Sequence, residues 1–129
     1  MTWKKRIAST ASVMLLAAGG MMATASPAAA DGPCPANRLC IYDGANFTGN
    51  RIASGSTNSC FFPQDFTFDA IVSYDNNLPV DAKVYHYYAD IDAYAVARTL
   101  VSGGFSSNIG VANLGGAFGD LVCMGSARP

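Results

Sequence analysis

The sequence predicts an all-β fold, a sandwich or barrel of short strands, and composition, patterning and cysteine count each lead there. Past residue 30 the chain has no Glu and one Lys, while Tyr, Phe, Val, Ser, Asn, Asp and Gly are abundant. Straight-chain helix formers are nearly missing, and strand and turn residues dominate. Short apolar runs recur between turn residues, and no window carries a helical stripe. Cys34, Cys40, Cys60 and Cys123 make an even cysteine count in a small domain. In a secreted chain that reads as two disulfides, with three pairings open. A metal site would need closer pairs and usually histidine, and His86 is the only one.

The chain opens with Lys4, Lys5 and Arg6, continues through an apolar stretch around Val13 to Ala18 and reaches Ala28-Ala29-Ala30. A charged start, an apolar middle and small residues at the end read as a secretory signal peptide, with cleavage expected after Ala30. The competing reading is a membrane anchor. Gly19-Gly20 interrupts the apolar run well short of the roughly 20 residues a span needs. The expected mature part, residues 31–129, is long enough for one domain of 99 residues. A chain of that size buries only about 60–70% of its unfolded surface and gains from covalent staples. The mature part sets Arg38, Arg51, Lys83, Arg98 and Arg128 against nine aspartates, a net charge of minus four. Without a basic patch it is not expected to bind nucleic acid. Without a long apolar run it is not expected to enter a membrane, and a secreted monomer is the expected form.

The strand candidates run in order. "LCIY" (39–42) is followed by Asp43-Gly44, "AIVSY" (70–74) by Asn76-Asn77, and "KVYHYY" (83–88) leads towards "YAVARTLV" (94–101). In the last of these, Ala95, Ala97 and Thr99 are expected on one face and Val96, Arg98 and Leu100 on the other. Gly103-Gly104 and Gly115-Gly116 then precede "DLVCM" (120–124). An internal repeat organises these runs. "FDAIVS" (68–73) matches "FGDLVC" (118–123), setting Phe68 with Phe118, Ile71 with Leu121, Val72 with Val122 and Ser73 with Cys123. Tyr42 and Phe47 precede the first copy as Tyr88 and Tyr94 precede the second. The chain reads as two copies of one four-strand unit.

Tyr42, Phe47 and Gly49 stand as Tyr-x4-Phe-x-Gly, which resembles the signature of a βγ-crystallin Greek key. In that motif a folded hairpin lies back over the sheet and the glycine takes a conformation open mainly to glycine. Ser73 matches the motif's later serine. The longer stretch "CPANRLCIYDGANFTG" resembles the start of the Streptomyces metalloproteinase inhibitor family, through Cys34-Pro35-Ala36, Leu39-Cys40, Tyr42, Gly44 and Gly49. "IVSYDNNLPVDAKVYHY" (71–87) extends the likeness, which covers roughly residues 34–100.

This resemblance implies a βγ-crystallin-like sandwich of two Greek-key motifs with two disulfides, Cys34 to Cys40 and then Cys60 to Cys123. It implies a secreted inhibitor of extracellular metallopeptidases that presents a rigid loop. The family's founding pattern closes that loop with a local disulfide in its second half. Here the counterpart, "YYADIDAYAVARTLVSGGFSSNIG", has no cysteine, so the inhibitory loop is left unassigned. Residues 88–94 and 102–110 are the first places to look. The alternative reading is a non-inhibitory binding module, calcium-linked, cell-surface or antimicrobial.

Calcium needs hard oxygen ligands. βγ-Crystallin domains often supply them in the stretch that ends at Ser73 here. Phe68 and Val72 put apolar atoms in two of the ligand slots, and Cys123 replaces the second serine. Asp69 and Asp120 remain as candidate ligands, with weak or no binding expected and no other cofactor. Against that reading, aspartates of this kind usually shape turns.

An enzyme is the third reading, and the residue inventory argues against it. Asp90 and Asp92 read as solvated turn residues rather than a hydrolytic pair. His86 lies in a predicted strand with no serine and aspartate to nominate beside it. "NFT" (46–48) matches a glycosylation sequon, though Phe47 is better explained by packing. The Phe-rich "CFFPQDFTF" (60–68) is expected to cover the core between the units, with an exposed binding patch as the other choice. Residues 102–120 read as a long loop, the second choice for a partner-facing surface.

Overall fold

The computed structural model describes residues 33–129; the expected signal peptide and its cleavage site lie outside the described residues. Eight strands form: β1 (Leu39–Gly44), β2 (Thr48–Ser54), β3 (Cys60–Phe61), β4 (Ser73–Asn76), β5 (Ala82–Tyr88), β6 (Ala93–Leu100), β7 (Phe105–Ser106) and β8 (Leu121–Met124). Helix among the described residues is confined to the 3-10 turn Pro63–Phe66. The strands make two antiparallel sheets, ordered β2-β1-β4-β7 and β3-β8-β5-β6. Each half of the chain therefore keeps three of its strands in one sheet and sends its third strand to the other.

The core lies where inward side chains of the two sheets meet. Leu39, Ile41, Ile52 and Tyr74 come from one sheet, and Ala82, Val84, Leu100, Val122 and Met124 from the other. Phe68, Ile71, Leu78, Ile109 and Leu114 join them from the connections. Asn76 is a buried polar member of this core. Its Nδ2 donates to the carbonyls of Leu100 (2.8 Å) and Val80 (3.1 Å), and its Oδ1 accepts from the Leu78 amide. It ends β4 rather than starting a turn. The Phe-rich stretch is split: Phe68 is core, while Phe62 and Phe66 are exposed.

β1 is buried on both faces. Leu39 and Ile41 face the core, Cys40 bonds to Cys34, and Tyr42 lies under the returning β1–β2 hairpin. Phe47 meets the Tyr42 ring edge-on at 5.8 Å. Asn46, Phe47 and Gly49 all take positive φ in this turn. At Gly49 (φ +84) a Cβ would fall 2.1 Å from the Asp43 carboxylate, so the position demands glycine. That carboxylate accepts from the amide and the side chain of Asn50. Ser73 closes the fold-back, accepting from the Phe47 amide (3.1 Å) and donating to the Gly44 carbonyl (2.6 Å).

The second half repeats the strand order without the folded hairpin. β5 and β6 run side by side to Tyr88 and Ala93, and Tyr94 packs against Tyr85 and Tyr87. Register also corrects the repeat inferred from sequence. Ser73 stands opposite Tyr42, whereas Cys123 stands opposite Lys83, and the β5–β8 pairing ends at Tyr85, short of Tyr88. Phe68 and Phe118 are not equivalent either, being 3% and 85% exposed. The regular alternation expected along β6 is broken as well. Val84 pairs with Arg98 and Tyr85 with Val96, leaving Ala97 as the extra residue of a bulge. Cys60 and Cys123 face each other across β3 and β8 and form the second disulfide.

Candidate functional site

The second half gives Ser73's bracing role to Asp120, the residue just before β8. Its carboxylate is 2% exposed and accepts from His86 Nδ1 (2.9 Å), the Tyr87 amide (3.0 Å) and the Ala117 amide (3.1 Å). A buried carboxylate requires such partners, and the His86 ring and Tyr87 amide of β5 and the Ala117 amide of the turn before β8 supply them. The sequence marked Asp120 as a candidate calcium ligand; its oxygens are engaged by the protein itself. Asp69, the other candidate, is exposed. Among the described residues no group of three or more His, Cys, Asp and Glu side chains is placed to hold a metal ion.

His86 is half-buried and bonds to Asp120, an aspartate that sequence reasoning had no means to set beside it. With Tyr88, which meets the imidazole edge-on at 4.5 Å, the pair borders a groove of about 350 Å³. Ala97, Val111 and Leu114 line it further. A histidine oriented by a carboxylate is two parts of a nucleophilic triad. The groove's lining includes no Ser, Thr or Cys to complete one.

Beside the groove a turn projects from the 107–120 connection. Its backbone is tied at several points. The Asp120 amide donates to the Ala117 carbonyl (3.0 Å), and the Asp120 carboxylate takes the Ala117 amide. Gln64, from the 3-10 turn, spans the same segment, donating Nε2 to the Gly116 carbonyl (2.9 Å) and accepting from the Gly119 amide (3.3 Å). Gly119 takes φ +86, and a Cβ there would press on the Tyr87 ring at 2.9 Å. Phe118 stands at the tip of this turn. It shares a shallow depression of about 270 Å³ with Phe62, Gln64 and Asp65.

The β5–β6 hairpin tip is the second protruding element. Ile91 is 67% exposed there, and the Tyr87 hydroxyl donates to Asp92 across the turn at 2.7 Å. That bond holds the Tyr87 proton and raises its pKa above the usual phenol value. Asp90 is exposed at the same tip. Inside the fold, burial raises Tyr74 as well, against the opposing pull of Arg98.

Sequence reasoning named residues 88–94 and 102–110 as the first places to look for an inhibitory loop, and the longer 102–120 stretch only as a second choice of partner-facing surface. It missed the bracing by Gln64 and Asp120, because those contacts join positions about 50 residues apart or depend on which backbone amides turn inward.

A model of peptidase inhibitor family I36 matches residues 27–90. The match spans β1 to β5 and ends in the β5–β6 turn. No curated protein and no solved structure matches the chain.

Proposed function

The chain belongs to peptidase inhibitor family I36 through residues 27–90, and on that footing we propose that it is a secreted inhibitor of extracellular metallopeptidases. The family match is the observation that carries this reading. A peptidase is the partner such a family implies. The choice of zinc peptidases draws on the resemblance of residues 34–50 to the Streptomyces metalloproteinase inhibitors. Secretion is supported by the leader-like residues 1–30 and by two disulfides, which persist in oxidising compartments. The exchange of third strands between sheets, with the Tyr42–Phe47–Ser73 fold-back, supports a βγ-crystallin-like pair of Greek keys. A stiff disulfide-clipped scaffold suits inhibition, because little ordering entropy remains to be lost on association. An enzymatic role has less support, since the one His–Asp pair comes with no nucleophile in its groove.

The test is a titration of oxidised protein, residues 31–129, against a panel of extracellular peptidases headed by thermolysin-type zinc enzymes. Stoichiometric inhibition of the zinc class, with other classes untouched, is the expected result. Inhibition of serine or cysteine peptidases instead would move the target class. A blank panel would favour the non-inhibitory binding module. The calcium-linked form of that alternative would further require a rise in unfolding temperature on adding calcium. The engagement of Asp120 by three protein donors weighs against that rise.

A further inference from the structure

We propose that the Ala117–Asp120 turn is the element that contacts the peptidase, and that Phe118 is its anchor, seated in an apolar specificity pocket of the enzyme. This rests on the inhibitor reading above and goes further by assigning the contact. The family match stops at residue 90, so it says nothing of this turn.

The argument starts from a contrast within a few residues. Gly116, Ala117, Gly119 and Asp120 are all tied down through backbone or side-chain bonds. Two of the side chains that do this, Gln64 and Asp120, come from different parts of the chain. Phe118, at the centre of the braced segment, is 85% exposed, the most exposed large apolar side chain among the described residues. The fold thus fixes the backbone on both sides of a phenylalanine while giving its ring little to pack on. A rigid mount carrying a large aromatic side chain into solvent is a preorganised anchor, the kind of residue that dominates binding energy at an interface. Phe62 and Phe66, 41% and 51% exposed, lie on the connection that supplies Gln64, and Phe62 lines the same depression as Phe118. Phe62 thereby extends the apolar surface beside the anchor.

A peptidase is the partner that fits, because specificity pockets beside a catalytic centre are apolar clefts that take one large side chain at a time. The rival contact is Ile91 at the β5–β6 tip. It is less exposed, and the side-chain bond across its turn comes from within the same hairpin, Tyr87 to Asp92.

The turn also sets the manner of contact. The bond from the Asp120 amide to the Ala117 carbonyl closes the backbone around Phe118–Gly119, and Gly119 has positive φ. An extended strand is what adds to the edge of an enzyme's cleft. A closed turn delivers a side chain instead, so the Phe118–Gly119 bond is not offered for cleavage.

The experiment compares wild type, Phe118→Ala and Ile91→Ala against the peptidase that the panel identifies, with thermal unfolding of each protein and mass spectrometry of the inhibitor recovered from the complex. Phe118→Ala is expected to weaken inhibition by about ten-fold or more, as loss of an anchor does, with its unfolding midpoint unchanged. Ile91→Ala is expected to inhibit as wild type does, and the recovered inhibitor to be intact. Wild-type inhibition by Phe118→Ala would overturn this assignment and leave the inhibitor reading standing. So would weakening confined to Ile91→Ala, or cleavage after Phe118. If wild type inhibits nothing, the inhibitor reading falls and takes the contact with it.

Discussion

Ser73 is fully buried, and its hydroxyl works in both directions, taking the Phe47 amide and giving to the Gly44 carbonyl. Alanine at this position would leave both backbone groups without that partner beneath a hairpin that covers Tyr42. A buried group stripped of its partner costs about 1–3 kcal/mol. Ser73→Ala is therefore expected to lower stability by about that amount in urea unfolding, with the slope of the transition unchanged. A loss below about 0.5 kcal/mol would mean that the Phe47 and Gly44 groups find other partners and that Ser73 is not the clasp. Ser73 was legible in the sequence because the resemblance of Tyr42, Phe47 and Gly49 to the Greek-key signature implied a later serine. Asp120 was visible only as the first residue of a strand candidate and as a weak candidate calcium ligand. Its bracing role depends on β5 approaching so that the Tyr87 amide and the His86 ring, more than 30 positions earlier, turn towards it. No spacing rule carries that information.

At the scale of elements, what was legible tracks how each strand is buried. β1, β5, β6 and β8 overlap apolar runs plain in the sequence. β2 was not read, because "TGNRIAS" buries only Ile52 and is otherwise polar or exposed, as an edge strand can be. β3 and β7 are two residues each, too short for any periodicity to register. The β5–β6 hairpin carries a prediction of its own, through the bond from the Tyr87 hydroxyl to Asp92. That bond raises the folded-state pKa of Tyr87 above its ordinary value. A raised pKa means that the folded state holds this proton more tightly than the unfolded chain does. The contribution is fully present below the ordinary phenol value of about 10 and is lost as pH rises through the folded value. Tyr87 should therefore ionise late in an absorbance titration of tyrosinate, and Tyr87→Phe should remove a late-titrating component. Amide exchange at Ile91, next to the turn, should become less protected above pH about 10 in wild type. An unchanged late phase in Tyr87→Phe would transfer it to another phenol, with the buried Tyr74 first in line.

Over the whole molecule, the exchange of third strands makes the halves interdependent. β3 belongs to the first half but pairs with β8, and β7 belongs to the second but pairs with β4. The sequence signalled two copies without showing this exchange, since the exchanged strands are the two shortest. Alone, the first half would have no sheet for β3 to join and would lose β7 from the outer edge of β4, and half of the core would be missing. The disulfides divide unequally across this arrangement. Cys34–Cys40 closes a separation of 6 within the first half, whereas Cys60–Cys123 closes one of 63 and ties β3 to the sheet it joins. In the chain-entropy model these closures contribute about 2.4 and about 4.3 kcal/mol. For a domain whose total stability is about 5–15 kcal/mol, only the second approaches the whole. The paired change Cys60→Ser with Cys123→Ser is thus expected to bring the protein close to its unfolding threshold at 25 °C. Cys34→Ser with Cys40→Ser should leave a cooperative transition at a lower urea midpoint. A fragment of residues 31–80 should show no cooperative transition at all by circular dichroism. Equal losses from the two paired changes would show that the long closure adds little beyond the β3–β8 pairing itself. A cooperative melt from the fragment would mean that the first half folds without its exchanged strand, and the interdependence argued from strand order would fail.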